Sequence, residues 1–181
     1  MPNWCYAEMR VKGTKENKEK LANLFLSQNE EENKNKERYF ARTWLNFIQH
    51  ETLEEELEQE VSTFNLEVAW SIYSCMIEGY PQKSDKCPTI FEISKELKLE
   101  IQIASEECGC CFREFYHIKN GELLTDGTED FPEEEFDEDK LYQEYLNNCK
   151  TEPISFDEWL DTDYQYLRDE WYNDVYDKFT F

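Results

Sequence analysis

The sequence predicts an α+β protein: an antiparallel sheet with helices on one face, followed by an acidic helical extension at the C-terminus. Apolar residues alternate at period two in several short runs and recur at three- and four-residue spacing between them. Turn signals at residues 107–110 and at Asn120–Gly121 fold neighbouring runs into hairpins. The composition then changes, because residues 121–181 hold 20 acidic and 4 basic side chains. That is a net of −16 in a chain whose total is 19 − 42 = −23.

Residues 3–12 read as the first strand, with Trp4, Tyr6, Glu8 and Arg10 alternating against Cys5, Ala7, Met9 and Val11 until Gly13 closes it. Residues 17–28 read as an amphipathic helix with Leu21, Leu24 and Phe25 on one face, and the polar run 29–36 as a solvated loop. Tyr39, Phe40, Trp44, Phe47 and Ile48 fall at helical spacing and predict a second helix, which Leu53 and Leu57 continue through the acidic block 54–60. Residues 64–73 have the aromatic and aliphatic composition of a buried strand. Gly79, Pro81 and Pro88 mark a loop, and Pro88 suits the first position of a helix reaching Leu97. Residues 99–104 and 112–118 alternate as a strand pair.

The chain therefore divides into an α+β domain over residues 1–120, with an acidic helical insert near 30–63, and an aromatic-rich acidic helical extension over 121–181 packed on it. Within the extension, Ser155–Phe156–Asp157–Glu158 has the form of a capping box. Leu160, Tyr164, Leu167, Trp171 and Val175 then step along one helix face.

Charge of this sign and size argues against electrostatic binding of DNA, RNA or an anionic membrane and points to a basic protein partner. The competing reading is a solvated surface that only keeps the protein in solution. Five Trp, eleven Tyr and twelve Phe supply the apolar area of a folded chain, which excludes disorder. No run reaches the length of a membrane span, and no basic stretch followed by an apolar run opens the chain, so export is not expected. Seven cysteines, an odd number, then read as reduced thiols or metal ligands rather than a disulfide framework.

The sharpest local chemistry is Cys108–Gly109–Cys110–Cys111. Its C-x-x-C spacing lets Cys108 and Cys111 reach one tetrahedral zinc from a tight turn. Cys110 and Cys87 are the candidates to complete a structural site that pins the hairpin to the loop near Cys87, with Cys75, Cys5 and His117 also available. Plain free thiols are the alternative. A redox pair is the third reading, although that motif should open a helix rather than cap a hairpin. No phosphate-binding glycine loop, H-E-x-x-H or recognisable nucleophile motif occurs, and His50 and His117 are isolated, so no catalytic residue is assigned. Asp126, Glu129 and Asp130 lack the EF-hand pattern for calcium.

Two acidic clusters are the best partner-binding candidates. One comprises Glu133, Glu134, Glu135, Asp137, Glu138 and Asp139; the other comprises Asp157, Glu158, Asp161 and Asp163, with Asp169 and Glu170 beyond. Interleaved Tyr and Trp favour contact over mere solvation, since aromatics anchor interfaces while carboxylates steer association.

Three places carry a family resemblance: the opening Met1–Pro2–Asn3–Trp4–Cys5 with Val11–Lys12–Gly13, then Ala69–Trp70–Ser71 after Phe64, then Glu106–Glu107–Cys108–Gly109 with Phe112 and Asn120–Gly121. Together they resemble the Api92-like proteins of phages and plasmids, over roughly the part before Gly121. Ala7 departs from the Asn usual there, and the stretch between Ser71 and Pro88 is longer than usual. The resemblance implies a ferredoxin-like domain, a mobile-element origin, a bacterial host cytoplasm and no catalytic residues. In size and charge the chain is also similar to type II anti-CRISPR proteins. That similarity implies an inhibitor of host defence that binds Cas9, or its guide-RNA complex, and blocks target DNA loading. Cas9 holds nucleic acid in positively charged channels, which an acidic surface can occupy. An accessory protein without activity on Cas9, and an enzyme acting on a small substrate, are the alternatives.

Overall fold

A computed structural model describes residues 3–79 and 86–181. The opening Met1–Pro2 and the loop residue Pro81 lie outside the described residues. Six strands form one sheet: β1 (Trp4–Lys12), β2 (Thr43–Ile48), β3 (Val61–Ala69), β4 (Glu100–Glu107), β5 (Phe112–Lys119) and β6 (Glu122–Asp130). Their order is β2-β3-β1-β4-β5-β6, and every neighbouring pair is antiparallel. Helix α1 (Lys15–Ala22) follows β1, short α2 (Glu30–Asn33) precedes β2, α3 (Leu53–Glu58) joins β2 to β3, and α4 (Ile90–Leu97) precedes β4. A π-helical turn, Tyr73–Ile77, lies between β3 and α4.

The alternation in β1 decides which side of the sheet is dry. Cys5, Ala7, Met9 and Val11 are buried, and they join Phe64, Leu66, Val68, Ile101 and Ile103 from the neighbouring strands. Leu21 of α1 and Ile90, Ile93 and Leu97 of α4 close this core. Burial of this kind contributes about 2 kcal/mol per large side chain. Full capping boxes fix α3 (Thr52 with Glu55) and α4 (Thr89 with Glu92).

Several boundaries differ from the sequence reading. Of the second helix expected from Tyr39 through the 54–60 block, only Leu53–Glu58 is helical, as α3; residues 43–48 are strand β2, whose register shifts between Leu45 and Phe47. This bulge sets Trp44 and Phe47 on one face at a three-residue step, which imitates helical spacing. Helix α1 ends at Ala22, and Leu26 instead forms a parallel bridge to Trp44. The polar run includes a single helical turn capped by Asn29, whose side chain accepts from the Glu31 N–H. Helix α4 starts at Ile90 behind its Thr89 cap, so Pro88 precedes the helix. The largest difference is β6. Asn120 and Gly121 both have positive φ, 50° and 83°, and a two-residue turn of that hand returns the chain as a hairpin. The sheet thus runs past residue 121, and the first regular helix of the acidic part, α5 (Glu138–Asn148), begins after it.

Glu56 ties the β2 end of the fold together. Its carboxylate is fully buried and accepts from the N–H groups of Gln49 (3.1 Å), His50 (3.2 Å) and Thr63 (2.5 Å), with the His50 ring Nδ1 at 2.8 Å. Replacing Glu56 by Ala leaves three buried or half-buried donors unanswered. The expected loss is about 3 kcal/mol of unfolding free energy, measured by urea titration. A loss below about 1 kcal/mol would assign the junction to apolar packing instead.

Candidate protein-binding surface

Beyond β6 the chain makes α5, then α6 (Phe156–Trp159), a π-helical turn (Leu160–Tyr164), α7 (Gln165–Asn173) and a 3-10 turn (Asp174–Lys178). Asp137 caps α5 by accepting from the Lys140 N–H at 2.9 Å, and Ser155 caps α6 by accepting from the Glu158 N–H at 3.3 Å. Aromatic rings hold these pieces together. Trp159 is buried against Tyr142, Phe156 and Tyr164, with ring centroids 5.1 to 5.6 Å apart among Tyr142–Phe156, Tyr142–Trp159 and Trp159–Tyr164. Phe131 packs on Phe136 (4.9 Å) and Trp171 (5.3 Å). The step predicted from Leu160 to Val175 is present in part: Tyr164 and Val175 are buried, whereas Leu160, Leu167 and Trp171 are half-buried. Trp159 and Tyr172, which that pattern omitted, are buried more deeply than those three.

The C-terminal end docks on the sheet face opposite α1 and α4. Val175 and Phe179 pack on Ala104 and Phe115. Gln102, fully buried, donates to Thr180 Oγ1 (2.6 Å) and accepts from the Thr180 N–H (2.9 Å). The sheet's cations are used here. Arg10 lies 4.1 Å from the Phe179 ring centre and donates to the Phe181 carbonyl, and Lys12 lies 4.3 Å from the Phe181 ring. Arg113 sits 4.1 Å over Trp171, donates to its carbonyl and pairs with Glu129 at 2.6 Å. Such contacts contribute about 0.5 to 2 kcal/mol each, most where desolvated.

With rings turned inward, the acidic side chains face out. All ten predicted residues are exposed: Glu133, Glu134, Glu135, Asp137, Glu138, Asp139, Asp157, Glu158, Asp161 and Asp163. Among the described residues none of them forms an ion pair with Lys or Arg. Tyr164 Oη donates to the Phe136 carbonyl at 3.2 Å and brings the first cluster against the helix that carries the second. Between them lies an open depression of roughly 430 Å³, lined by Phe131, Phe136, Phe156 and Tyr164 and by Glu133, Asp137, Glu138 and Asp139. Rings with carboxylates at the rim suit a Lys or Arg side chain. The protein's own Arg168 already lies 5.3 Å from the Phe131 ring. The sequence reading missed the ring walls, since nothing local signals that Phe131 and Phe136 meet Phe156 and Tyr164.

The chain matches no family model, no curated protein and no solved structure.

The cysteines are distributed differently from the acidic clusters. Cys108 and Cys110 are exposed and Cys111 is half-buried, on a turn held by the buried Glu107 carboxylate. That carboxylate accepts from the N–H groups of Gly109 (3.1 Å) and Cys110. A Cβ on Gly109 would meet Glu107 Oε1 at 2.8 Å, which accounts for the glycine. Asn3 donates to Cys110 Sγ at 2.8 Å. Cys87 is buried next to Tyr39, with which it interacts. Among the described residues no three His, Cys, Asp or Glu side chains gather as a metal-holding group. Burial, Glu106 and Glu107 push the Cys108 thiol up, which opposes a reactive thiolate. His50 and His117 are held by Glu56 and Glu100. Asp126, Glu129 and Asp130 lie along β6, where Glu129 is taken up by Arg113 and Lys178.

Two outcomes follow from this geometry. Lys178 and Arg113 hold the Glu129 carboxyl below its ordinary 4.5. A depressed folded-state value adds stability above the unfolded value and loses it as pH falls through the folded one. The stability difference between wild type and Glu129→Gln is therefore largest above pH 4.5 and closes in acid, as read by urea melts across pH. For the cysteines, a zinc-bound hairpin requires about one zinc per chain by elemental analysis, and a lowered Tm in Cys108→Ser with Cys111→Ser. Zinc-free wild type with an unchanged variant Tm leaves free thiols.

Proposed function

We propose that this chain acts by binding a basic protein surface, and most concretely that it is a phage or mobile-element inhibitor of a Cas9-type nuclease. The reading rests on one observation: ten exposed carboxylates, without a Lys or Arg partner among the described residues, lie on α5, on α6 and on the turns beside them next to an aromatic depression, while Arg10, Lys12 and Arg113 of the sheet are taken up by the C-terminal segment. Nucleic acid is repelled by such a surface, whereas a positively charged nucleic-acid channel is attracted to it. Occupying that channel keeps target DNA out, and no catalytic step is needed. The first four strands, set side by side as β2-β3-β1-β4 with α1 between β1 and β2 and α4 between β3 and β4, support a ferredoxin-like module that has α3 inserted between β2 and β3 and the β5–β6 hairpin added. The proposal includes the resemblance to the Api92-like family and a bacterial host cytoplasm as the place of action. Among the described residues no helix is long and apolar enough to cross a membrane. Zinc on Cys108 and Cys111 would be structural in this scheme.

A gel shift of guide-loaded Cas9 with target DNA tests the reading. Added protein should abolish the shifted band, and raised salt should restore it as the carboxylates are screened. Changing Glu133, Glu134, Glu135, Asp137, Glu138 and Asp139 to Lys should weaken inhibition by about tenfold or more with little change in folding. An unaffected band and intact cleavage reject the nuclease reading for the Cas9 used.

A further inference from the structure

The C-terminal segment covers its sheet face over the later part of β1 and over β4 and β5, and reaches β6 through Lys178 and Glu129; over β2, β3 and the start of β1 the face is open. Trp4, Tyr6 and Phe47 are 43%, 52% and 58% exposed there, three of the seven large hydrophobic side chains most exposed among the described residues. Register places them in rows across the strands. Trp44 and Tyr6 both lie directly opposite Glu67, and Phe47 and Glu8 both lie opposite Asn65. Trp4 meets Trp44 edge to face at 5.3 Å. Glu67 is thus a carboxylate held between two aromatic side chains on one face.

Glu67 is met by two side-chain amides. Gln28 donates to it at 3.3 Å and Asn46 at 3.2 Å, and both donors are neutral. No Lys or Arg pairs with it among the described residues, and neither β2 nor β3 contains one. Arg10, further along β1, is taken up by Glu8 at 2.6 Å and by the C-terminal segment. Beside this row a groove of roughly 240 Å³ runs between Phe47 and Tyr176 over Glu8 and Asn65. It continues as roughly 500 Å³ towards Gln49 and Phe181.

We infer that this open half-face is a second recognition site, one that takes an arginine-bearing extended segment of a protein partner, its guanidinium on Glu67 between Tyr6 and Trp44. A planar cation stacks on indole and phenol faces and also bonds a carboxylate, which this row presents together. The groove's amides and Thr63 suit the backbone of an extended chain. Phosphate-bearing ligands meet Glu8 and Glu67 instead of a free cation. The inference rests on the reading that the partner is a basic protein. It shares no residue with the acidic depression, so either site can fail while the other stands.

The test is titration of the full-length protein with a short peptide of alternating Arg and Gly, followed by tryptophan fluorescence and calorimetry. Glu67→Gln keeps the shape and should weaken binding about tenfold, and Tyr6→Ala should do the same. Changing the six residues of the 133–139 cluster to Lys should leave the Glu67-dependent part of the titration in place. Equal affinity of wild type, Glu67→Gln and Tyr6→Ala overturns the proposal. Tighter binding of a single-stranded oligonucleotide than of the peptide, or a concentration-dependent dimer that Tyr6→Ala dissolves, also overturns it. In these cases the face belongs to nucleic acid or to a second copy of the chain.

Discussion

The constraint on which this structure depends is a shortage of cations: 42 carboxylates share 19 Lys and Arg side chains. Carboxylates that the fold must bury therefore cannot all be answered by ion pairs, and backbone amides answer them instead. Glu56 takes the N–H groups of Gln49, His50 and Thr63; Glu107 takes those of Gly109 and Cys110; Glu114 takes those of Ile72 and Tyr73. All three are at most 3% exposed. Each answers N–H groups where the chain turns, after β2, between β4 and β5, and after β3, which would otherwise be left unpaired. Glu114 also accepts from Ser105 and Tyr116, yet burial still pushes its carboxyl up, the expected direction when desolvation outweighs hydrogen bonds. The buried acids thus organise turns, and the remaining ones stay at the surface.

The same shortage explains how the C-terminal segment docks. Arg113 is shared by three structural parts, since it leaves β5, pairs with Glu129 of β6 and lies on Trp171 of α7. Lys12 is held by the ring of Phe181, and Arg10 by the ring of Phe179 together with Glu8 of its own strand. Ring faces neutralise nothing, but they hold a cation without drawing a carboxylate out of water. Acidic groups in α5, α6 and the turn after them consequently remain solvated and unpaired, and the segment is fastened by its aromatic residues.

Legibility followed alternation in the sequence. Strands β1, β4 and β5 lie close to where their alternation places them, although β4 and β5 are buried on both faces, whereas the apolar run 64–73 has no alternation to set its ends and β3 spans Val61–Ala69 instead. Strand β2 was misread because its bulge resets the alternation, and Trp44 and Phe47 then mimic a helical step. Strand β6 was missed for the opposite reason. It is exposed or half-exposed at every residue, so no dry face marks it, and its own register shift against β5 breaks the period. The acidic clusters were legible because carboxylates are conspicuous. The aromatic depression was not, since it depends on Phe131 and Phe136 meeting Phe156 and Tyr164 across 20 to 33 residues of chain.

Covering only half of the second sheet face has an electrostatic consequence. The covered half contains the cations Arg10, Lys12 and Arg113, each taken up by the C-terminal segment. The open half contains Glu67 and the rings of Trp4, Tyr6 and Phe47, with no basic residue in β2 or β3. Had the segment crossed the other half, the basic strands would face solvent and the protein would offer a surface to nucleic acid. As folded, the groove over β1 and β3 and the depression beside α6 have the same chemistry, carboxylate with aromatic. On the proposed reading, a partner that fits one in charge is not repelled by the other, and both disfavour a phosphate backbone. The direction in which the C-terminal residues cross the sheet therefore sets the sign of this surface locally, as the net charge sets it for the chain.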